Sequence, residues 1–269
     1  MGNLIKLNNG VEMPIIGYGV YGVGTEEVEN AIKSGYRRID TAHGYGNEKE
    51  VGEAIKSSGL KREEVFITTK ATNGALREHT IAQEFEKSLD NLKTDYVDLY
   101  LIHWPVKEEY VSAWLELEKI YRSGKAKSIG FSNYQIYHLE ELQKVWTITP
   151  MVNQVELHPY LTQKPLIDYC KKLNITMEAW SPLGAGKSTL FEEEILINLG
   201  KKYNKAPSQI ILRWDIQQGI MTIPKSANLE RMQSNIDIFD FSLAEEEMSL
   251  IDTLNKNLRT GPDPDNFNF

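Results

Sequence analysis

The stretch Val97–Ser132, VDLYLIHWPVKEEYVSAWLELEKIYRSGKAKSIGFS, decides the fold. It opens on a β-rich run, Val97–Ile102, and closes on another, Ser128–Ser132. Between them Tyr110, Ala113, Trp114, Leu117 and Tyr121 recur at helical spacing, so Tyr110–Ser123 reads as a helix with one apolar face. Two strands joined through a helix form a parallel β–α–β unit, because parallel neighbours need a crossover of that length.

The same unit repeats outward in both directions. Strands read at Ile15–Gly19, Arg38–Asp40 and Val65–Thr69 before it, and at Met151–Glu156, Thr176–Trp180 and Met221–Pro224 after it. Glu26–Ser34 reads as another helix, with Val28, Ala31 and Ile32 on one face. Eight strands alternating with helices predict an α/β fold, a parallel (β/α)8 TIM barrel. Ahead of it, LIKL and VEM flank an Asn-Gly turn, which predicts an N-terminal β-hairpin placed to plug the barrel's bottom. Two abutting helical patterns, Ile195–Tyr203 and Ser208–Gln217, put an extra helix in one crossover. A last helix, Ala244–Leu254, is expected to start from a Ser242/Glu245 capping box. The tail, residues 257–269, is rich in Pro, Asp and Asn and is expected to lie extended over a surface.

A length of 269 residues suits two average domains or one α/β barrel. No linker-like segment interrupts the chain, and residues 1–269 read as a single domain. No run approaches the ~18 apolar residues of a membrane span, and the N-terminus lacks a signal-peptide pattern. Lys6 stands where a myristoylation signal needs Ser or Thr. Cys170 is the only cysteine, which fits a reducing compartment and makes the cytoplasm the expected location. A net charge of −8 argues against nucleic-acid binding while leaving room for one local basic pocket. The five histidines lack ligand spacing, so no metal is expected. His158 reads as structural, His79 and His138 as exposed helix residues, and Cys170 as an inert core thiol beside Leu166 and Leu173.

In such barrels the chemistry belongs at the C-terminal ends of strands. DTAHGYGNE there offers Asp40 and Tyr45, FITTK offers Lys70, and YLIHWP offers His103. Each alone is more often a cap, a solvated lysine or a packed aromatic. Together, at three successive strand ends, they suit proton transfer to an oxygen. A tyrosine of ordinary pKa about 10 is a poor acid at neutral pH, a neighbouring lysine cation stabilises its phenolate, and an aspartate holds that lysine charged. His103 is placed to donate a hydrogen bond to a carbonyl oxygen.

With those strings in place, the chain resembles the aldo-keto reductase family along nearly its whole length, and in particular its short, bacterial-type members such as the 2,5-diketo-gluconate and glyoxal reductases. The family's tetrad falls on Asp40, Tyr45, Lys70 and His103, within DTA-x-x-Y-x-N-E, TTK and IHWP. The resemblance implies an NADPH-dependent reduction of aldehydes and ketones, α-dicarbonyls included, by a monomer that takes its cofactor first. No G-x-G-x-x-G is present, so the implied NADPH/NADP+ lies extended across the barrel mouth. It implies Ser132, Asn133 and Gln154 at the nicotinamide carboxamide and Trp180, in place of the usual Tyr, stacked on the ring. Ser181 and Leu183 match the pyrophosphate loop, Lys225, Ser226 and Arg231 the 2′-phosphate pocket, and Asn235 an adenine contact. Ser234 departs from the family's usual Glu or Gln near adenine. Phosphate sites after strands seven and eight agree with the general rule for this fold.

The segment between His103 and Tyr110 is short, and Thr72 stands where many relatives carry Trp. The expectation is an open, permissive pocket lined by Tyr21, His103, Trp104 and Thr72, with Phe267 or Phe269 as further apolar lining. Two other readings compete: a non-catalytic nucleotide-binding member of the same fold, and a barrel glycosidase using Asp40 and Glu156. The tetrad counts against the first, and Lys70 with the phosphate pocket has no role in the second.

Overall fold

The computed structural model describes residues 4–269. The hairpin strands β1 (Leu4–Lys6) and β2 (Glu12–Pro14) pair antiparallel. The barrel follows as β3 (Tyr18–Gly19), β4 (Arg38–Asp40), β5 (Phe66–Ala71), β6 (Leu99–Ile102), β7 (Ile129–Ser132), β8 (Val152–Glu156), β9 (Thr176–Trp180) and β10 (Met221–Thr222). The helices are α1 (Thr25–Lys33), α2 (Glu48–Ser57), α3 (Asn73–Arg77), α4 (Ile81–Leu92), α5 (Tyr110–Arg122) and α6 (Ile136–Leu142). They continue as α7 (Lys164–Lys172), α8 (Glu194–Tyr203), α9 (Pro207–Gln217), α10 (Leu229–Ile236) and α11 (Glu245–Asp252).

β3 to β10 are hydrogen-bonded in sequence order, every pair parallel. The first and last strands close the ring through an Ile16–Thr222 parallel bridge. Gly17 N donates to Thr222 O at 2.9 Å and Thr222 N to Ile15 O at 3.0 Å. The barrel expected from the alternation is therefore present, two strands as read and the others with ends shifted by at most three residues. Both faces of each strand are covered, so β5 and β6 are buried at every residue.

The hairpin sits where expected. Its turn donates from Asn8 Nδ2 to Pro150 O (2.8 Å) and Asn174 O (3.0 Å), and from Asn9 Nδ2 to Lys127 O (3.0 Å). All three acceptors precede barrel strands, which is the bottom of the barrel. The hairpin's own Leu7 and Met13 are buried.

Two local expectations fail. The last helix is capped from Ala244, whose N–H donates to Glu247 Oε2 at 2.8 Å, and not from a Ser242/Glu245 box. Ser242 is drawn instead to Arg213, whose Nη2 donates to its Oγ at 2.8 Å. His138 is buried rather than exposed, because its Nδ1 accepts the Gln135 N–H at 3.0 Å and turns the ring inward. His79 is exposed but follows α3 in a left-handed conformation, φ 54°. Cys170 is buried, and burial pushes its thiol up to about 12, as an inert core residue requires.

Candidate active site

Alternation along a strand puts Arg38 and Asp40 on one face of β4, Thr68 and Lys70 on one face of β5, and Glu178 and Trp180 on one face of β9. Those faces look into the barrel. At the mouth, Lys70 Nζ donates to Asp40 Oδ1 at 2.5 Å and to Thr41 O at 2.9 Å. Lys70 and Asp40 are 0% and 1% exposed, so the pair is shielded from water and hardly screened by salt. The Tyr45 ring lies over it, its centroid 5.1 Å from Lys70 Nζ, and meets the His103 ring edge-on at 5.5 Å. The structure thus gathers all four tetrad candidates.

The strings that carried the resemblance have physical tasks. Asn47 of YGNE donates to Val20 O (2.7 Å) and Val23 O (3.1 Å) and accepts from Thr41 Oγ1 (2.8 Å). Glu48 accepts from Thr69 Oγ1 (2.7 Å) and Asn91 Nδ2 (3.1 Å), and pairs with His43 Nδ1 (3.0 Å). Between them these residues tie the Tyr45 turn, residues 43–45, to the loop after β3, to β5 and to α4. Tyr45 is held by its neighbours on both sides.

The charges fall into order. Burial pushes the Tyr45 phenol above its ordinary value, and the Lys70 cation pulls it only part of the way back. This differs from the expectation that Lys70 would lower the phenol outright, because the desolvation of a closed barrel mouth outweighs one cation. Burial works against the Lys70 ammonium too, yet Asp40 and Tyr45 more than offset it and hold it above the usual lysine range. Burial and then Lys70 push His103 down to about 3, so its ring is neutral at any ordinary pH.

The residues expected around a nicotinamide are close together and tied to one another. Ser132 Oγ donates to Gln154 O at 2.7 Å, and Asn133 Nδ2 donates to His103 O (3.0 Å) and Ser132 Oγ (3.1 Å). Asn133 adopts a left-handed φ of 69° at the end of β7. Its Oδ1 accepts the Trp180 indole N–H at 2.8 Å, which pins the half-buried ring at the end of β9. Gln154 Nε2 donates to Asp40 Oδ2 at 2.7 Å, so Gln154 also braces the tetrad from across the barrel. Its sequence position carried no signal of that second task.

Beyond β9, Ser181 turns with φ 49° and Leu183 is half-buried. Beyond β10, Lys225 and Arg231 are exposed and Ser226 half-buried, at the start of α10. Asn228 Oδ1 caps that helix by accepting the Arg231 N–H at 3.0 Å. The ion pairs of this quarter, Lys202–Glu247, Lys205 with Asp237 and Asp240, and Lys256–Glu193, engage neither Lys225 nor Arg231. Asn235 lies on the buried side of α10.

The tail lies along one side of the barrel mouth. It is latched at Glu156, whose Oε1 accepts from Thr260 N and Oγ1 (both 2.6 Å) and Gly261 N (3.1 Å). Gly261 packs against Trp180 so closely that a Cβ would stand 2.4 Å from the ring. The chain then follows the rim past Tyr137, whose hydroxyl donates to Asp265 (2.7 Å), and lays Phe267 and Phe269 on Trp104, each centroid 5.2 Å away. Asn73 Nδ2 and Arg77 Nη2 hold the main-chain oxygen of Phe269 at 2.9 and 3.0 Å. Trp104 is only 7% exposed as a result. Half-buried Thr72 donates its hydroxyl to Glu84 (2.5 Å) and caps α3 by accepting the Ala75 N–H (3.1 Å). Tyr21, 67% exposed and 5.0 Å from the Tyr45 ring, stands on the side of the mouth that the tail leaves uncovered.

The chain matches the model of the Aldo/keto reductase family over residues 24–256. It is 54% identical to the glyoxal reductase of Bacillus subtilis (strain 168) over 270 residues, 98% of this chain and 97% of that protein. Among solved structures it is similar to MGS-M4, an aldo-keto reductase from a Medee basin deep-sea metagenome library, with TM-score 0.95, 44% identity and coverage of 98% and 100%. The Bombyx mori aldo-keto reductase in complex with NADP gives TM-score 0.91 at 35% identity, with 98% of this chain and 96% of that one covered.

Proposed function

The chain belongs to the aldo/keto reductase family, and from that premise we propose that it reduces small aldehydes and ketones, α-dicarbonyls among them, to alcohols at the expense of NADPH, with Tyr45 as the general acid. In this reading it is a single-domain, monomeric enzyme of the cytoplasm. The observation that carries it is the buried Asp40–Lys70 pair, 2.5 Å long, directly beneath the Tyr45 ring.

The residues at the mouth fit the dinucleotide. Trp180 offers an aromatic face pinned by Asn133, and Ser132, Asn133 and Gln154 offer amide and hydroxyl groups beside it. Lys225 and Arg231 offer cationic side chains that no described residue engages, and Ser226, whose hydroxyl is shared with the Asn228 main chain, adds a hydroxyl at the same helix start, which suits a dianionic 2′-phosphate. The relative solved with NADP supports the same choice of cofactor. When bound, NADPH supplies hydride to the carbonyl carbon.

The chain's own groups manage the proton. Burial keeps Tyr45 protonated at neutral pH, the state a donor needs. As the proton leaves, charge develops on the phenol oxygen beside the Lys70 ammonium, which is already in place and needs no reorganisation. Neutral His103 donates a hydrogen bond to the carbonyl oxygen and orients it. The similarity to a glyoxal reductase and the aromatic wall of Trp104, Phe267 and Phe269 support small carbonyls over bulky ones.

The test follows absorbance of NADPH after addition of glyoxal or a simple aromatic aldehyde to Tyr45→Phe and to the unaltered protein. Loss of the acid is expected to lower turnover by ~10²–10⁴-fold or more, with NADPH affinity little changed. Near-native turnover by Tyr45→Phe removes Tyr45 from the role, and no NADPH oxidation by the unaltered protein removes the reading.

A further inference from the structure

Below the tetrad the barrel holds a second ion pair. Arg38 Nη1 lies 2.6 Å from Glu178 Oε1, and both side chains are 0% exposed. Arg38 Nη2 donates to Thr222 O at 3.0 Å and weakly to Ile15 O at 3.4 Å, while Arg38 Nε and Glu178 Oε2 have no partner among the described residues. The chain makes room for this group: a Cβ on Gly17 would stand 2.4 Å from Arg38 Nε. Stability alone does not account for it, since a buried ion pair replaced by apolar side chains is often neutral or stabilising.

The pair is continuous with the proposed site. Arg38 precedes Asp40 by one inward position on β4, and Glu178 pairs in register with Gln154 on the neighbouring strand. Gln154 Nε2 in turn holds Asp40 Oδ2 (2.7 Å), whose other oxygen holds Lys70 (2.5 Å). Two cations, Arg38 and Lys70, and two carboxylates, Asp40 and Glu178, therefore share one buried interior, each cation against an anion; burial pushes the Glu178 carboxyl up, and Arg38 pulls it part of the way back. The other groups facing it add no charge: His103 is neutral, and burial pushes the Asp215 carboxyl, bonded to Thr222 Oγ1 at 2.9 Å, well above the usual range. Tyr21 is the remaining titratable neighbour, beside Tyr45.

We infer that Arg38 and Glu178 are positioning residues for the reduction, a counter-charged pair that sets the proton affinity of Tyr45 through Lys70. The inference rests on Tyr45 and Lys70 being the acid and its partner. Removing the Glu178 charge leaves the interior with one excess cation, which favours the phenolate and lowers the Tyr45 midpoint. Removing the Arg38 charge leaves one excess anion and raises it. A merely structural pair would lower stability in both variants and move the midpoint in neither.

The test uses NMR of tyrosine-labelled, cofactor-free protein, with the Tyr45 resonance assigned by its loss in Tyr45→Phe. Glu178→Gln is expected to move the Tyr45 midpoint down and Arg38→Met up, each by about one pH unit. The double variant Arg38→Met/Glu178→Leu, neutral and apolar, is expected to return it to within about half a unit of the unaltered protein. A shift of either single variant in the other sense, or no shift in both, overturns the inference. If a single variant does not fold, the double variant decides, and a displacement beyond about half a unit overturns it. This readout needs no turnover, so it fails independently of the functional reading. In alcohol oxidation with NADP+, where rate rises as Tyr45 loses its proton, the alkaline rise should move the same way.

Discussion

Two lysines stand at the ends of barrel strands and manage charge in opposite ways. At the end of β5, Lys70 is wholly buried, 2.5 Å from Asp40, with its charge spoken for before any ligand arrives. Just past the end of β10, Lys225 is exposed in the loop leading to α10, and neither it nor Arg231 is ion-paired among the described residues. The first arrangement is preorganised and belongs to the fold; the second leaves its cations open to solvent, as the proposed 2′-phosphate site requires. A residue of the first kind is expected to change stability and rate when altered, and one of the second kind only affinity.

The sharpest break of that contrast is Lys70→Met. It strands the Asp40 carboxylate in the interior, and breaking a buried pair from one side costs about 3–5 kcal/mol. Denaturant unfolding should register that loss alongside a collapse of turnover, and a loss below about 1 kcal/mol would show that Lys70 is not integral to the fold. Arg231→Ala comes next. Deleting one charge-assisted contact should weaken NADPH by roughly tenfold to a hundredfold while leaving NADH unchanged and stability within about 0.5 kcal/mol. Fluorescence titration with both dinucleotides decides it, and equal weakening of the two would remove Arg231 from the 2′-phosphate.

A smaller effect is expected on the walled side. Phe267→Ala with Phe269→Ala should change kcat/KM for aromatic aldehydes by about twofold to tenfold and leave glyoxal nearly untouched. A uniform change across both substrates would make the tail a structural strap only. The smallest effect is none at all. His103, held down at about 3, should add no step near its ordinary value of 6.5 to the pH profile of reduction. A step there that disappears in His103→Gln would show the ring to be protonated in use.

The barrel and the tetrad were legible because their signals are local. Asp40 and Tyr45 lie in one string, and Lys70 and His103 each end a short β-rich run. What stayed hidden depends on register and closure. Gln154 reaches Asp40 from 114 positions away, Arg38 reaches Glu178 from 140, and Glu156 latches Thr260 from 104. No periodicity within one segment points across a barrel to a partner of that kind. The sequence offered Phe267 or Phe269 as pocket lining, but not the latch at Glu156 that carries the tail along the rim to Trp104. The misplaced cap had a different cause: Ser242 had the right chemistry, but Arg213 competes for its hydroxyl.

The Ile16–Thr222 closure also bears on how the chain is made. During translation at about 5–20 residues per second, residue 16 waits roughly 10–40 s for residue 222 to be synthesised. Until then the emerging sheet has two unprotected edges, each a template for pairing with another nascent chain. The Arg38 guanidinium likewise has no Glu178 to pair with until 140 further residues are made. Yield in the cell therefore depends on keeping half-made barrels apart on the ribosome as well as on the stability of the finished ring.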